Sequence, residues 1–379
     1  MTPLEEISVI RIHGKDSTKF LQGLFSNNIN HLVDGTVTAL YGAFLTNKGR
    51  FLYDAIMTNN TNKGADTAQG GDYVLEIAKD AVKEGHFIKH LELHKIRSKV
   101  TIEDISNEYR VWSLMCSPQH HRQLEDQICQ LSQQATSVPS VSRAYIDPRC
   151  LHLGARVLVH RNDIPSFKIF GDKYVPVGND FYDFLRCSYA IPKYGSDLLP
   201  DKSIILECNF NFINGVSFNK GCYVGQELIA RTHHRGTIRK RIYPCVIQTK
   251  EDKEKQNGQF AFHHQRANVN DSSKIIPSFF HPKDITFQDA KDQDISVLNG
   301  RTGTVVGKVL SHQLSLSITQ LRNEALQDPT ADLVLSAKST SQQDLILSPY
   351  LPFYMPDLQE LLGTPSDSKE ANPQDTQNP

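Results

Sequence analysis

Apolar and polar positions alternate with strand periodicity over much of the first third of the chain. Residues 7–12, 51–57, 73–77 and 109–115 are rich in β-branched and aromatic side chains between turn-forming polar stretches, and each predicts a strand. Residues 15–25 and 79–93 read as helices, and the polar stretch 59–71 reads as a hairpin loop or insertion. At 119–134 a glutamine-rich helix places Leu124, Ile128 and Leu131 at i, i+4 and i+7, an apolar stripe made for core packing. Strands at 143–146 and 155–160 precede a helix at 180–189. Strands and helices are interleaved without a strict strand–helix–strand period, which predicts an α+β fold.

Beyond Thr237 the texture becomes strand-rich, with candidates at 238–248, 304–310, 314–318 and 332–337 that fit a small barrel. The polar stretch 250–299 greatly exceeds ordinary connections of about 4 to 6 residues, so strand pieces such as 259–262 are expected around an insert. The tail 363–379 has no aliphatic anchor and is expected to be disordered.

The chain has 379 residues, enough for two or three globular units. Forty-one basic against 42 acidic residues leave a formal charge of -1, so no bulk attraction to nucleic acid or anionic membrane is built in. No run of about 18 apolar residues occurs, so no membrane span is expected. The seven cysteines are scattered and form no C-x-x-C pair, which suits a reducing compartment and argues against a self-contained zinc or iron–sulfur site. The acidic opening Met1 to Glu6 does not resemble an arginine-rich mitochondrial presequence.

The densest chemistry lies at 214–235. Asn219 reads as a helix N-cap, with Val224, Leu228 and Ile229 on one helical face, so Cys222 is expected in the first turn. There the helix dipole and Lys220 would favour a thiolate. The alternative is a cysteine acting as a small buried hydrophobe. Gly221 and Gly225 permit close backbone approach, or serve only a tight turn and a close helix contact. The run 231–241 carries seven basic or histidine side chains in eleven residues, and its alternation around Ile238 and Ile242 suggests an edge strand with charges outward. No aromatic platform is interleaved, so no nucleic-acid partner is expected. Adjacent His233 and His234 point in different directions, so no stable metal site is expected.

The string KGCYVGQE from Lys220 to Glu227 resembles the signature of the YgfZ family, a branch of the folate-binding superfamily that includes the glycine-cleavage T-protein. Its continuation ARTHHRGTIRKR, Ala230 to Arg241, is more similar to the eukaryotic mitochondrial branch of iron–sulfur assembly factors. Further similarity lies at Ile12 to Gly23, Ser26 to Asn28, Leu45 to Asp54, Asp147-Pro-Arg149, Leu153 to Arg156, Leu185-Arg186, Ile191-Pro192, Tyr194 to Asp197 and Glu207-Cys-Asn209, with a weaker echo at Gly303 to Lys308.

The resemblance implies a three-lobed ring: ferredoxin-like lobes within residues 1–236 and a closing β-barrel within 237–350, with folate between them. It implies tetrahydrofolate as cofactor, with Glu207, Arg186, Asn209, Tyr194 and Asp54 as binding residues and Cys222 and Lys220 as the reactive pair. Tyr189 is a second candidate for stacking on the pterin. Glu207 would pair with pterin N–H groups, or instead form a surface salt bridge; Arg186 would meet the pterin or the glutamate tail, or be solvated. In aminomethyltransferase relatives paired aspartates follow the first hairpin, whereas Tyr53 stands here at the first of them and only Asp54 remains. The implied function is an accessory role in maturing mitochondrial-matrix [4Fe-4S] proteins with A-type scaffold partners, with aconitase-type and lipoate-making radical enzymes as clients. Cys222 would then be a transient cluster ligand. The alternative is a tetrahydrofolate-dependent one-carbon transferase using Cys222 as nucleophile.

Overall fold

The computed structural model describes residues 1–60, 70–134, 141–161, 175–255, 295–327, 332–338 and 344–362. The strand piece expected at 259–262, most of the polar insert and the tail 363–379 lie outside the described residues.

Nine strands build two antiparallel sheets: β1 (Thr2–Pro3), β2 (Ile7–Gly14), β3 (Ala39–Leu45), β4 (Phe51–Asn59), β5 (Gly71–Ala78), β6 (Thr101–Asp104), β7 (Tyr109–Leu114), β8 (Val141–Ile146) and β9 (Ala155–His160). The first sheet has the order β3-β4-β5-β2-β6 and the second β1-β7-β9-β8. Six further described strands close a barrel in the order β10-β13-β12-β11-β14-β15: β10 (Lys240–Thr249), β11 (Ser296–Asn299), β12 (Val305–Gln313), β13 (Leu316–Arg322), β14 (Leu333–Lys338) and β15 (Asp344–Pro349). Antiparallel pairing throughout, with helices laid against the sheets, makes the fold α+β.

Alternation explains how one strand can serve two cores. Along β10, Tyr243, Cys245 and Ile247 enter the barrel interior, while Ile242 and Val246 join the central core with Phe184, Ile205, Leu206 and Phe210. β10 pairs with β13 on one side and β15 on the other, so the edge strand expected at 238–248 is an interior strand buried on both faces. The stripe Leu124 and Ile128 of the helix His121–Gln134 packs on Ala144, Val157 and Val159, as its spacing requires.

Two helices differ from expectation. The one read at 79–93 breaks at Glu84 and Gly85, whose φ values of 58° and 72° are left-handed, and resumes as His86–Lys95. The helix of the 214–235 segment is Gln226–Arg235, capped by Gly225 at φ 80°, so Asn219 is not its N-cap and Cys222 precedes it by a full turn. The dipole argument for a Cys222 thiolate therefore does not apply. That helix also occupies the first half of the basic run, placing His233, His234 and Arg235 at its C-terminal end, where cations complement the dipole.

A buried charged knot joins the two sheets. Glu76 on β5 accepts Arg156 Nη1 at 2.5 Å and the Tyr145 hydroxyl, and both partners belong to the other sheet. Arg156 Nε donates to Asp147 at 2.9 Å, and Arg149 binds the same carboxylate through Nε and Nη2 at 2.9 and 2.7 Å. Two guanidiniums thus face two carboxylates, all four residues almost wholly buried. Burial alone would raise the Asp147 carboxyl, but Arg149 and Arg156 overcome it and hold the group well below the usual carboxylate range.

Replacing Arg156 by Met leaves Glu76 buried with only a phenol and is expected to cost about 3–5 kcal/mol in urea unfolding. A carboxyl depressed on folding adds stability that is present above about pH 4 and lost as pH falls through its folded-state value. The Arg156→Met variant should therefore show a shallower acid limb than the parent, read by thermal unfolding from pH 7 to pH 3.

Candidate functional site

A cavity of about 450 Å³ opens between the two sheets and the helix Asn179–Ser188, within the size range of small-molecule sites. One wall is the charged knot, through Glu76, Arg149 and Arg156. The facing strands supply Tyr41 from β3 and Asp54 from β4, and the loop after the helix supplies Tyr194.

Asp54 accepts the Tyr41 hydroxyl at 3.0 Å, and the Arg149 guanidinium lies over the Tyr41 ring at 5.6 Å. Burial pushes the Asp54 carboxyl up, against the opposing charge of Arg149 and the Tyr41 hydrogen bond. Tyr53, where the resemblance leads one to expect a second acid, stacks nearly parallel on Tyr194 with centroids 6.3 Å apart, and packs edge-on to Phe87 and His90. Burial pushes the Tyr194 phenol up to about 12, so it remains protonated at neutral pH. Arg186 lines the same cavity, with its guanidinium tied to Asp197 at 2.6 Å and Asp183 at 2.8 Å.

The cavity therefore gathers Asp54, Arg186 and Tyr194 from the expected set and leaves out Glu207, Asn209, Lys220 and Cys222. Glu207 pairs with Lys240 at 3.2 Å. Asn209, fully buried with φ 64°, donates to the Ile242 carbonyl at 2.8 Å and accepts Arg241 Nη1 at 3.2 Å. Arg241 also holds the Leu206 carbonyl at 2.8 Å and lies over Phe212 at 4.5 Å. This end of the basic run thus fastens the barrel to the preceding segment. Tyr189 is buried against His152 and Phe353.

Tyr41, Tyr182 and the knot escaped the sequence reading as site residues. A signal for the knot was present: Glu76 and Arg156 are lone charges at positions that strand patterning sends inward, and buried charges require partners.

The second assembly surrounds Cys222. The Lys220 ammonium donates to the carbonyls of Gln22, Phe25 and Asn27 at 2.9, 2.6 and 2.9 Å. The helix Ser17–Gln22 ends here; Gly23 N–H takes the Lys19 carbonyl and Phe25 N–H the Leu21 carbonyl, while Lys220 takes the Gln22 carbonyl and two more in the turn that follows. Burial pushes the Lys220 ammonium down to about 7; only the charged form has the three N–H donors needed to hold all three carbonyls at once. Val224 N–H to the Gly23 carbonyl, Ser217 N–H to the Ser26 carbonyl and Asn27 Nδ2 to the Asn214 carbonyl continue the seam.

Close approach also explains the glycines: a Cβ on Gly225 would lie 2.4 Å from the Thr46 carbonyl oxygen, and one on Gly49 would lie 2.5 Å from Leu228 Cβ. From this pinned loop Cys222 projects into solvent. Among the described residues, no group of three or more His, Cys, Asp or Glu side chains is arranged to hold a metal ion.

No protein-family model matches the chain. The solved glycine cleavage system aminomethyltransferase T from Bartonella henselae shares its fold, with a TM-score of 0.60 over 93% of this chain and 85% of that one at 13% identity. Among curated proteins, the chain is 34% identical to the mitochondrial iron-sulfur cluster assembly factor IBA57 homolog of Dictyostelium discoideum over 66% of this chain and 63% of the relative. It is 35% identical to the Mus musculus protein of that name, over 65% of each chain. These alignments span slightly less than two thirds of either relative. Against the IBA57 homolog of Aspergillus fumigatus the identity is 31% over 84% of this chain and 69% of the relative. With that breadth of similarity, the chain belongs to the IBA57 family of mitochondrial iron-sulfur cluster assembly factors.

Proposed function

We propose that the chain acts as an accessory factor in the maturation of [4Fe-4S] proteins, with Cys222 supplying a thiolate to a cluster that an A-type scaffold protein carries. The observation that carries this reading is an exposed cysteine on a loop pinned by the half-buried Lys220. A thiol held on a fixed loop in solvent suits transient ligation completed by a partner's side chains. The client enzymes would be aconitase-type dehydratases and the radical enzymes that make lipoate.

The same reading assigns tetrahydrofolate to the cavity. Its volume, the Tyr194 ring on its wall and the accepting carboxylate of Asp54 suit a flat heterocycle that bears N–H groups. Tyr194 would lie against the pterin and Asp54 would accept its N–H groups, with Arg186, already paired with Asp183 and Asp197, and Lys193, paired with Glu6, bordering the rest of the ligand. Folate, when bound, supplies a carrier for one-carbon units. Asp54 also supports a second reading, a one-carbon transferase, because burial raises its carboxyl and makes it a stronger proton acceptor than an exposed carboxylate. Substrate-dependent formation of methylene-tetrahydrofolate by the purified protein would favour that class.

In a strain lacking the protein, Cys222→Ser is expected to restore neither aconitase activity nor lipoylation while folding normally. Full restoration of both would remove the thiol from the mechanism. Lys220→Met leaves three carbonyls without their donor and is expected to lower stability by about 2–3 kcal/mol in urea unfolding. It should also loosen the loop, raising amide hydrogen exchange at 217–225 above that of Cys222→Ser; equal protection in the two variants would deny Lys220 its pinning role.

A further inference from the structure

Tyr182, on the helix Asn179–Ser188, reaches the cavity wall with its hydroxyl oxygen between two guanidiniums. Arg149 Nη2 donates to it at 2.8 Å and Arg156 Nη2 at 2.9 Å. A phenol oxygen offers two lone pairs and one hydrogen, and guanidiniums donate without accepting. Both lone pairs are therefore taken, and the only bond left for Tyr182 to make is a donated one. Neither arginine is free to turn away, because Asp147 and Glu76 hold both in the knot. Asp54 has the opposite character: it accepts the Tyr41 hydroxyl and keeps acceptor capacity toward the cavity.

We infer that Tyr182 is the cavity's obligate hydrogen-bond donor, selecting a ligand that presents a carbonyl acceptor to it while offering N–H groups to Asp54. This rests on the folate reading and sharpens it, because a pterin carries both on one edge: the C4 carbonyl beside N3–H and the 2-amino group. The bonds from Arg149 and Arg156 fix which way the Tyr182 hydroxyl is used.

Tyr182→Phe keeps the ring and removes the O–H. Binding of tetrahydrofolate and of its 4-amino analogue, in which the carbonyl acceptor becomes a donor, is measured by titration calorimetry on both proteins. The wild type should prefer the carbonyl compound, and Tyr182→Phe should weaken that compound about ten-fold while changing the 4-amino analogue little. A merely structural tyrosine predicts equal weakening of both ligands, and that outcome, or an unchanged tetrahydrofolate affinity, overturns the inference. Should the variant fail to fold, the wild-type preference carries the test, and equal affinities overturn it. Failure of the wild type to bind either compound removes the folate reading itself, and the pterin ligand with it.

Discussion

The pairing of Arg149 and Arg156 with Asp147 and Glu76 is the constraint on which the site depends. In a buried setting any one of these charges left alone would be costly, so the set persists only when all four are present and mutually bonded. Because Glu76 comes from one sheet and the other three from the second sheet and the loop beside it, satisfying the charges fixes the spacing of the sheets. The cavity is the space that this spacing leaves. Its polar wall is consequently rigid, with both guanidiniums held in fixed orientations by Asp147, Glu76 and Tyr182.

A second constraint positions the thiol. The first helix is short, and a lysine almost two hundred positions later binds its last carbonyl and two carbonyls of the turn that follows. The cavity and the Cys222 loop share one element, the hairpin of β3 and β4. Its body carries Tyr41 and Asp54 to the cavity, and its tip, at Thr46 and Gly49, sits against Gly225 and Leu228. One rigid hairpin therefore sets the geometry of both.

Much of the fold was legible because runs of β-branched and aromatic residues stand between polar turns, as in β4, β5, β7 and β9, even where both faces are buried. The errors fell where non-local contacts overrode local pattern. Asn219 looked like a cap because nothing local reveals that Lys220 is drawn toward the first helix, which keeps this stretch out of helical conformation until Gly225. The charges of 239–241 suggested an exposed edge, yet Arg241 is buried by carbonyls and amides that come from a distant turn. Asp54, Arg186 and Tyr194 were named by resemblance, and they meet at one cavity. Glu207 and Asn209, named in the same way, hold the barrel in place. Spacing along the chain could not separate the two groups, because the difference lies in which side of the connecting segment each side chain takes.

The chemistry open to the cavity follows from counting the carboxylates that are free to act. Six line it, of which Glu5, Glu6 and Asp183 pair with Arg110, Lys193 and Arg186, and Asp54 and Glu76 stand beside the knot. Glu76 is saturated by Arg156 and Tyr145, so it cannot exchange protons without breaking the joint between the sheets. Of the two carboxylates beside the knot, Asp54 retains acceptor capacity, and the sequence position of a second acid is filled by Tyr53, whose ring stacks on Tyr194. Proton relay between paired acids needs two titrating groups whose environments push their pKa values apart. A single carboxylate facing aromatic rings and a donating phenol instead forms a recognition surface for a heterocycle. The architecture therefore favours holding a ligand over transforming it, and leaves covalent chemistry to the exposed thiol on its separate, pinned loop.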